Sequence, residues 1–347
     1  MQPWRNLQRN LFRGLNLHNL SVVIPSYSRP DLLARCLASL RRNAPLSTEI
    51  IVVDDASENM CVSEVARKFK GIKVIRTPKR VGFAKAANLG VQAAIHDIVE
   101  LLNDDTEVCA GWAEMALDAF DDPKVAAVAP LVLRWPGAIE GSAVIDSAGD
   151  AYFASGVATK RGNGQLIAEK WMVPGRVFGA SGSSAFYRRE VFLKVGAYPE
   201  SFGAYFEDVD LSFRLHWAGY DVVFQPCSKV LHRVSSSYGK PSLNRKLLER
   251  QSLNEERVYW RNIPCQLLWR TLPLHLVALL AKAWRRGTEG TLLPFLMGKL
   301  SFMREIPEIL AHRKMLIKEN PKADHQRWCL ENLGGLDGFL TRQLARF

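Results

Sequence analysis

The first clear pattern is a run of apolar residues at 20–24 (LSVVI), closed by Pro25. A short run that is apolar at nearly every position predicts a strand covered on both faces. The period then changes. Over 30–42 (PDLLARCLASLRR), Leu32, Leu33, Cys36, Leu37 and Leu40 fall at helical spacing, and Pro30 and Asp31 suit a first helical turn. A second apolar strand follows at 49–57 (EIIVVDDAS), ending in two carboxylates. A polar helix at 61–69, a strand at 72–76 (IKVIR), a helix at 84–95 and a strand at 98–104 (IVELLND) continue the alternation. Strand and helix taking turns at this spacing predict an α/β fold, with a mostly parallel sheet flanked by helices.

Periodicity fades over 125–180, a stretch rich in Gly and Ala that reads as an irregular insertion with short hairpins. Order returns with a helix in YRREVFLKVGAYP, ended by Gly196, and another in EDVDLSFRLHWAGY, ended by Gly219. A strand (DVVFQP) and a loop (VLHRVSSS) follow. From 243 the pattern is helical through RKLLERQSLNEERVYWRN, with Pro264 as a break.

Composition narrows the class. With 347 residues there is room for one large domain plus an appendage. An apolar share of 48% excludes a disordered or collagen-like chain. The net charge of +11 would suggest a polyanion partner, but its distribution does not. Residues 1–18 hold three arginines and no acid, 19–240 balance 25 basic against 25 acidic residues, and 241–347 hold 18 basic against 10 acidic. The division predicts a basic N-terminal arm (1–18), a neutral main domain (19–240) and a basic helical C-terminal region (241–347). The six cysteines form no CxxC pair, which argues against a zinc ribbon and fits a reducing compartment. No secretory signal, no uninterrupted apolar stretch long enough to span a bilayer, no GxGxxG and no GxxxxGK[ST] occur.

Ligands of such sheets bind beyond the carboxyl ends of the strands. Those ends carry Pro25-Ser26-Tyr27, Asp54-Asp55 and Asn103-Asp104-Asp105, while Glu207-Asp208 opens a later helix. Each taken alone also reads as a helix cap or an Asx turn. Together, SVVIPSYSRPDLLARCLASL, EIIVVDDAS, GFAKAANLG, ELLNDDTEV and GASGSSAFYRREVFLKVGAYPESFGAYFEDVDLSFRLHWAGY resemble, in order, the family 2 glycosyltransferases of GT-A fold. The resemblance covers roughly residues 20–235, and the FEDVDLSFRL segment with a basic tail is most similar to bacterial rhamnosyltransferase-type enzymes of surface polysaccharide assembly.

The resemblance implies an inverting, metal-dependent transfer of one sugar from a UDP-, GDP- or dTDP-sugar to a saccharide acceptor, expected to be lipid-linked. It makes Asp208 the catalytic base and assigns the nucleotide-sugar to Pro25, Ser26, Tyr27, Arg29, Asp54, Asp55, Lys85, Asn88, Asn103 and Asp104. A divalent metal (Mn2+ or Mg2+) falls to Asp105 and His232, and the acceptor side to Gly182, Ser183 and Glu207. The family's Asp-x-Asp metal motif stands here as Asn103-Asp104-Asp105, so its first acid is an amide. Apolar helices flanked by Arg, Lys and Trp after residue 241 suit an anionic membrane surface. The expected location is therefore peripheral on the cytoplasmic face of the membrane, with no nucleic acid partner. The alternatives are a nucleotidyltransferase of related fold, which would want a Gly-rich basic loop in place of PSYSRPD, and a catalytically inactive membrane-associated scaffold.

Overall fold

The computed structural model describes residues 18–135, 143–234, 244–321 and 323. The basic arm before His18, the VSSS stretch beyond Val234 and the end of the basic C-terminal region lie outside the described residues. Strand β1 (Leu20–Ser26), helix α1 (Pro30–Asn43), β2 (Glu49–Asp54), α2 (Cys61–Arg67), β3 (Ile72–Arg76), α3 (Phe83–Ala93) and β4 (Ile98–Leu102) follow the predicted alternation. Their strands pair in parallel in the order β4-β1-β2-β3.

The apolar runs are continuous because both faces are covered. Leu20, Val22, Ile24, Ile50 and Val52 meet Leu33, Cys36, Leu37 and Leu40 of α1 and Val62 of α2 on one face. The alternate residues Val23, Ile51 and Val53 meet Ala84, Ala86, Ala87 and Val91 of α3 on the other. Helix α3 lies so close that a Cβ on Gly90 would come within 2.2 Å of Val23 Cγ1. One acid breaks the apolar face of β4. Glu100 is fully buried, accepts from Trp112 Nε1 at 3.0 Å and Ser184 Oγ at 2.8 Å, and is pushed by burial up to about 8.

Part of the second half of the sheet comes from the stretch read as irregular. After β5 (Thr106–Val108) and α4 (Trp112–Leu117), the ten residues Val125–Arg134 form β6, buried over nine of them. Short strands β7 (Ile145–Ser147), β8 (Asp150–Tyr152), β9 (Ala158–Lys160) and β10 (Gly175–Val177) lead to β11 (Ser184–Arg188). Tyr187 and Arg188, assigned above to a helix, end this strand, and α5 (Arg189–Lys194) begins one residue later. After α6 (Glu207–Trp217), β12 (Asp221–His232) runs unbroken to His232, which the sequence reading placed in a loop. Strand β11 joins the halves, antiparallel to both β4 and β6, and β6 pairs in parallel with β12. Pro130 of β6 faces a register shift in β12 between Gln225 and Lys229, where a missing N–H is tolerated.

Helices α7 (Arg245–Asn262), α8 (Cys265–Thr288), α9 (Leu292–Met303) and α10 (Ile306–Glu319) complete the described chain. The break between the first two falls at Ile263–Pro264, as predicted. No helix among the described residues is long and apolar enough to cross a membrane.

Candidate functional site

A cavity of about 360 Å³ opens at the carboxyl ends of β1, β2 and β4, within the usual size of a small-ligand site (~300–1,000 Å³). The local folding of three segments builds it. Beyond β1, Ser26 Oγ donates to Asp104 at 2.6 Å, and the Arg29 guanidinium reaches both Asp104 and, at 3.1 Å, Asp105. Burial pushes Asp104 up to about 6 against the pull of Arg29. Strand β5 starts just after Asp105 and pairs antiparallel with the end of β12, His232 opposite Thr106. That pairing sets His232 Nε2 3.3 Å from Asp105 Oδ1. Burial pushes Asp105 up, and the bond to and charge of His232, with Arg29, outweigh it and hold Asp105 below its ordinary range. The other nitrogen of His232, Nδ1, bonds Asp146 Oδ2 at 2.9 Å, and Lys160 Nζ donates to the same oxygen at 2.8 Å.

The third segment is the start of α6. Tyr205 and Phe206 both adopt the left-handed conformation, at φ of 72° and 70°, and turn the chain sharply into Glu207. Asn254 of α7 holds that turn, donating to the carbonyls of Phe202, Ala204 and Tyr205 at 3.0, 3.2 and 2.9 Å. Asp208 then accepts from Gly182 N at 2.7 Å and from Val209 N at 2.8 Å. A Cβ on Gly182 would stand 3.2 Å from the same carboxylate, so a small residue suits the loop. Asp150 and Glu207 are buried beside the half-buried Asp208. Burial, and for Asp150 and Glu207 the charge of Asp208, pushes all three carboxyls upward. Glu207 Oε2 is buried with no hydrogen-bond partner among the described residues.

Of the residues singled out from sequence, Pro25, Ser26, Tyr27, Arg29, Asp55, Asn103, Asp105, Gly182, Ser183, Glu207, Asp208 and His232 line this cavity. Four stand behind or beside it. Asp104 anchors Ser26 and Arg29. Asp54 accepts from Ser57 N at 2.8 Å, from Arg76 at 2.7 Å and from Ser63, closing the turn after β2. Asn88 exchanges two bonds with the backbone of Tyr198, at 2.8 and 3.0 Å, and Lys85 pairs with Glu200 at the surface. Asp55 accepts from the backbone N–H groups of Val81 and Gly82 at 2.7 and 2.9 Å, which fixes the segment carrying Arg80. The Arg80 guanidinium lies 3.9 Å from the Tyr27 ring centre and lines the cavity with it. Sequence reasoning passed over Lys160, Phe206 and Asp146. The first and last sit in the stretch without periodicity, where the carboxylates of DSAGD at 146–150 are the one visible signal.

Among the described residues, no group of three or more His, Cys, Asp and Glu is arranged to hold a metal. Asp105 and His232 nevertheless fit a hard divalent cation as two donors. A carboxylate oxygen and an imidazole Nε2 meet in the cavity wall, and a carboxylate on Nδ1 orients the ring in the way typical of a ligating histidine.

Comparison with known proteins agrees with the geometry. The model of "Glycosyl transferase family 2" matches residues 21–196, half of the chain. The chain is 28% identical to an N-acetylglucosaminyl-diphospho-decaprenol L-rhamnosyltransferase of Mycobacterium tuberculosis, over 64% of this chain and 78% of that protein. It is 31% identical to a pre-mycofactocin glycosyltransferase of the same organism, over 63% of this chain but only 43% of the relative. Among solved structures, GalNAc-T7 with UDP, GalNAc and Mn2+ superposes with a TM-score of 0.63 at 18% identity, covering 92% of this chain and 57% of that one. The mannosyltransferase PcManGT of Pyrobaculum calidifontis, with GDP-Man and Mn2+, gives 0.53 at 16% identity, covering 94% and 91%. The fold is therefore GT-A, the nucleotidyltransferase alternative falls away, and the chain belongs to glycosyl transferase family 2.

Proposed function

We propose that this glycosyltransferase is inverting and metal-dependent, and that it moves one sugar from a nucleotide-sugar to a saccharide acceptor carried on a lipid diphosphate. The observation that carries the reading is one cavity walled on one side by the Asp105–His232 pair and on another by the half-buried carboxylate of Asp208. The acceptor hydroxyl gives its proton to Asp208 as its oxygen attacks the anomeric carbon. The bond to the diphosphate oxygen breaks on the opposite face, so the configuration inverts. Burial raises the proton affinity of Asp208, and two backbone N–H groups fix its direction, which suits a general base. Asp105 and His232 would hold the divalent metal, which when bound offsets the negative charge left on the nucleoside diphosphate. Tyr27, Arg80 and Asp55 lie where the base and ribose enter, Arg29 is at hand for phosphate, and Gly182, Ser183 and Glu207 border the acceptor side.

The lipid carrier is proposed from two supports. One is the relative whose name specifies a diphospho-decaprenol acceptor. The other is a basic, apolar helical face after residue 265, which suits a peripheral position at the cytoplasmic face of an anionic membrane. Incubation with a panel of UDP-, GDP- and dTDP-sugars tests the reaction. The expected result is metal-dependent turnover, an inverted anomeric configuration by NMR, and loss of transfer in Asp208→Asn with nucleotide binding intact. Full transfer by Asp208→Asn refutes the assignment of the base.

A further inference from the structure

A second cavity, of about 170 Å³, lies between α7, α8 and α9. It is too small for a whole substrate, given that ligand sites run from ~300 Å³ upward, and is of head-group size. Lys282, Arg285 and Arg286 of α8 stand on its wall against one acid, Glu255, with Phe295 at its base. Lys282 pairs with Glu255. Arg285 and Arg286 bond Glu289 at 2.8 and 2.9 Å in a half-exposed cluster. Exposed ion pairs of that kind are weak, so a phosphate oxygen replaces Glu289 at little cost, and paired guanidinium forks suit it.

Two further features point to the occupant. Phe206 lines both cavities, and Asp208, two residues further along the chain, lines the first. Next to the basic wall, Leu276, Val277, Leu280 and Trp284 of α8 are exposed at helical spacing, and Leu293, Leu296, Met297 and Leu300 form a second exposed stripe on α9. Trp269 is 83% exposed and Trp284 74%. Cations at the rim of an apolar face complement an anionic head group joined to a hydrocarbon chain.

We propose that the α7–α8–α9 pocket receives the diphosphate of the lipid acceptor through Arg285, Arg286 and Lys282. The lipid chain then lies along the exposed stripes of α8 and α9, and the attached sugar reaches past Phe206 to Asp208. This assignment rests on the lipid-linked acceptor reading above and adds to it a site and an orientation.

The test is calorimetric titration of the full chain with farnesyl diphosphate, inorganic pyrophosphate and farnesol, for wild type and for Arg285→Ala/Arg286→Ala. The two arginines pair only with Glu289 in the bonds described, so the variant is expected to keep its melting temperature and its nucleoside diphosphate affinity. The expected result is farnesyl diphosphate binding that exceeds both fragments and weakens about tenfold or more in the double variant, with partial recovery in Arg285→Lys/Arg286→Lys. Equal affinity of wild type and double variant overturns the proposal, as does pyrophosphate binding as tightly as farnesyl diphosphate. Self-association of the chain that buries Trp269 and Trp284 also overturns it, because a second copy would then own the face. Nucleotide-sugar turnover is measured alongside. If wild type turns over no donor, the glycosyl transfer reading fails. If turnover persists while the arginines prove irrelevant, only the pocket assignment fails.

Discussion

Helices α7 and α8 are consecutive, both basic, and separated by one proline, yet they serve opposite surfaces. Helix α7 turns inward. Its Val258 and Tyr259 pack with Val209 and Phe213 of α6, its Asn262 bonds Asp210 at 2.8 Å, and its Asn254 holds the turn before Glu207. Its Arg257 reaches Glu305 and the carbonyl of Ser201 rather than solvent. Helix α8 keeps only Thr271, His275 and Ala278 buried and presents Trp269, Leu280 and Trp284 outward. The comparison teaches that the positive charge of the C-terminal third is not one feature. Part of it braces the cavity from behind, and part of it rims an apolar surface. The three tryptophans of α7 and α8 divide in the same way: Trp260 packs against Phe302 and Tyr259, while Trp269 and Trp284 face out.

The predictions that can break this division run from large to small. Asp208→Asn, in the cavity that α7 braces, is expected to lower transfer by about 10²–10⁴, read from initial rates at saturating donor. Asn254→Ala removes three side-chain hydrogen bonds, to the carbonyls of Phe202, Ala204 and Tyr205. It is expected to cost ~1–3 kcal/mol in denaturant unfolding and to lower kcat as the left-handed turn loosens. If Asn254→Ala is neutral on both counts, α7 is no brace. Trp269→Ser/Trp284→Ser should leave stability within about 0.5 kcal/mol and donor turnover unchanged, while reducing co-sedimentation with phosphatidylglycerol vesicles. A large loss of stability there would mean that the face is core.

The smallest effect concerns pH. The proposed base must be ionised to take a proton, and burial holds the carboxyl of Asp208 above its ordinary value. If Asp208 is the base, activity is lost as pH falls through that raised value, giving kcat/KM an acid limb above the ordinary carboxylate range. Burial and the charge of Asp208 push Glu207 up to about 8, so it is neutral along that limb, and Glu207→Gln is expected to leave the limb in place. A limb that moves to lower pH would mean that Glu207 is charged beside Asp208 and contradicts the raised Glu207.

The parallel half of the fold was legible because both faces of each strand are covered, and double coverage writes itself as unbroken apolar runs. The other half was legible only in its helices and in DVVFQP of β12. Strand β6 reads VAAVAPLVLR, alanine-rich with a proline inside, and its place opposite a bulge in β12 depends on a partner about 95 residues away. Strand β11 runs straight into α5, so Tyr187 and Arg188 carried the helical pattern forward. Most of the cavity residues lay at strand ends or helix starts that motif order identified. Asn88 and Lys85 sit on the right helix, but Asn88 turns inward to Tyr198 and Lys85 outward to Glu200. The Asp146–His232–Asp105 chain links residues 86 and 127 positions apart through a closure that no local spacing reports.

The central claim is that the cavity at the strand ends is a nucleotide-sugar site completed by a divalent cation on Asp105 and His232. Calorimetric titration of the wild type and Asp105→Ala with UDP-, GDP- and dTDP-sugars, with and without Mn2+, tests it directly. The account predicts that at least one donor binds wild type, that Mn2+ tightens the binding, and that Asp105→Ala abolishes the Mn2+ effect. Binding that is indifferent to both Mn2+ and Asp105, or no binding of any donor, contradicts it.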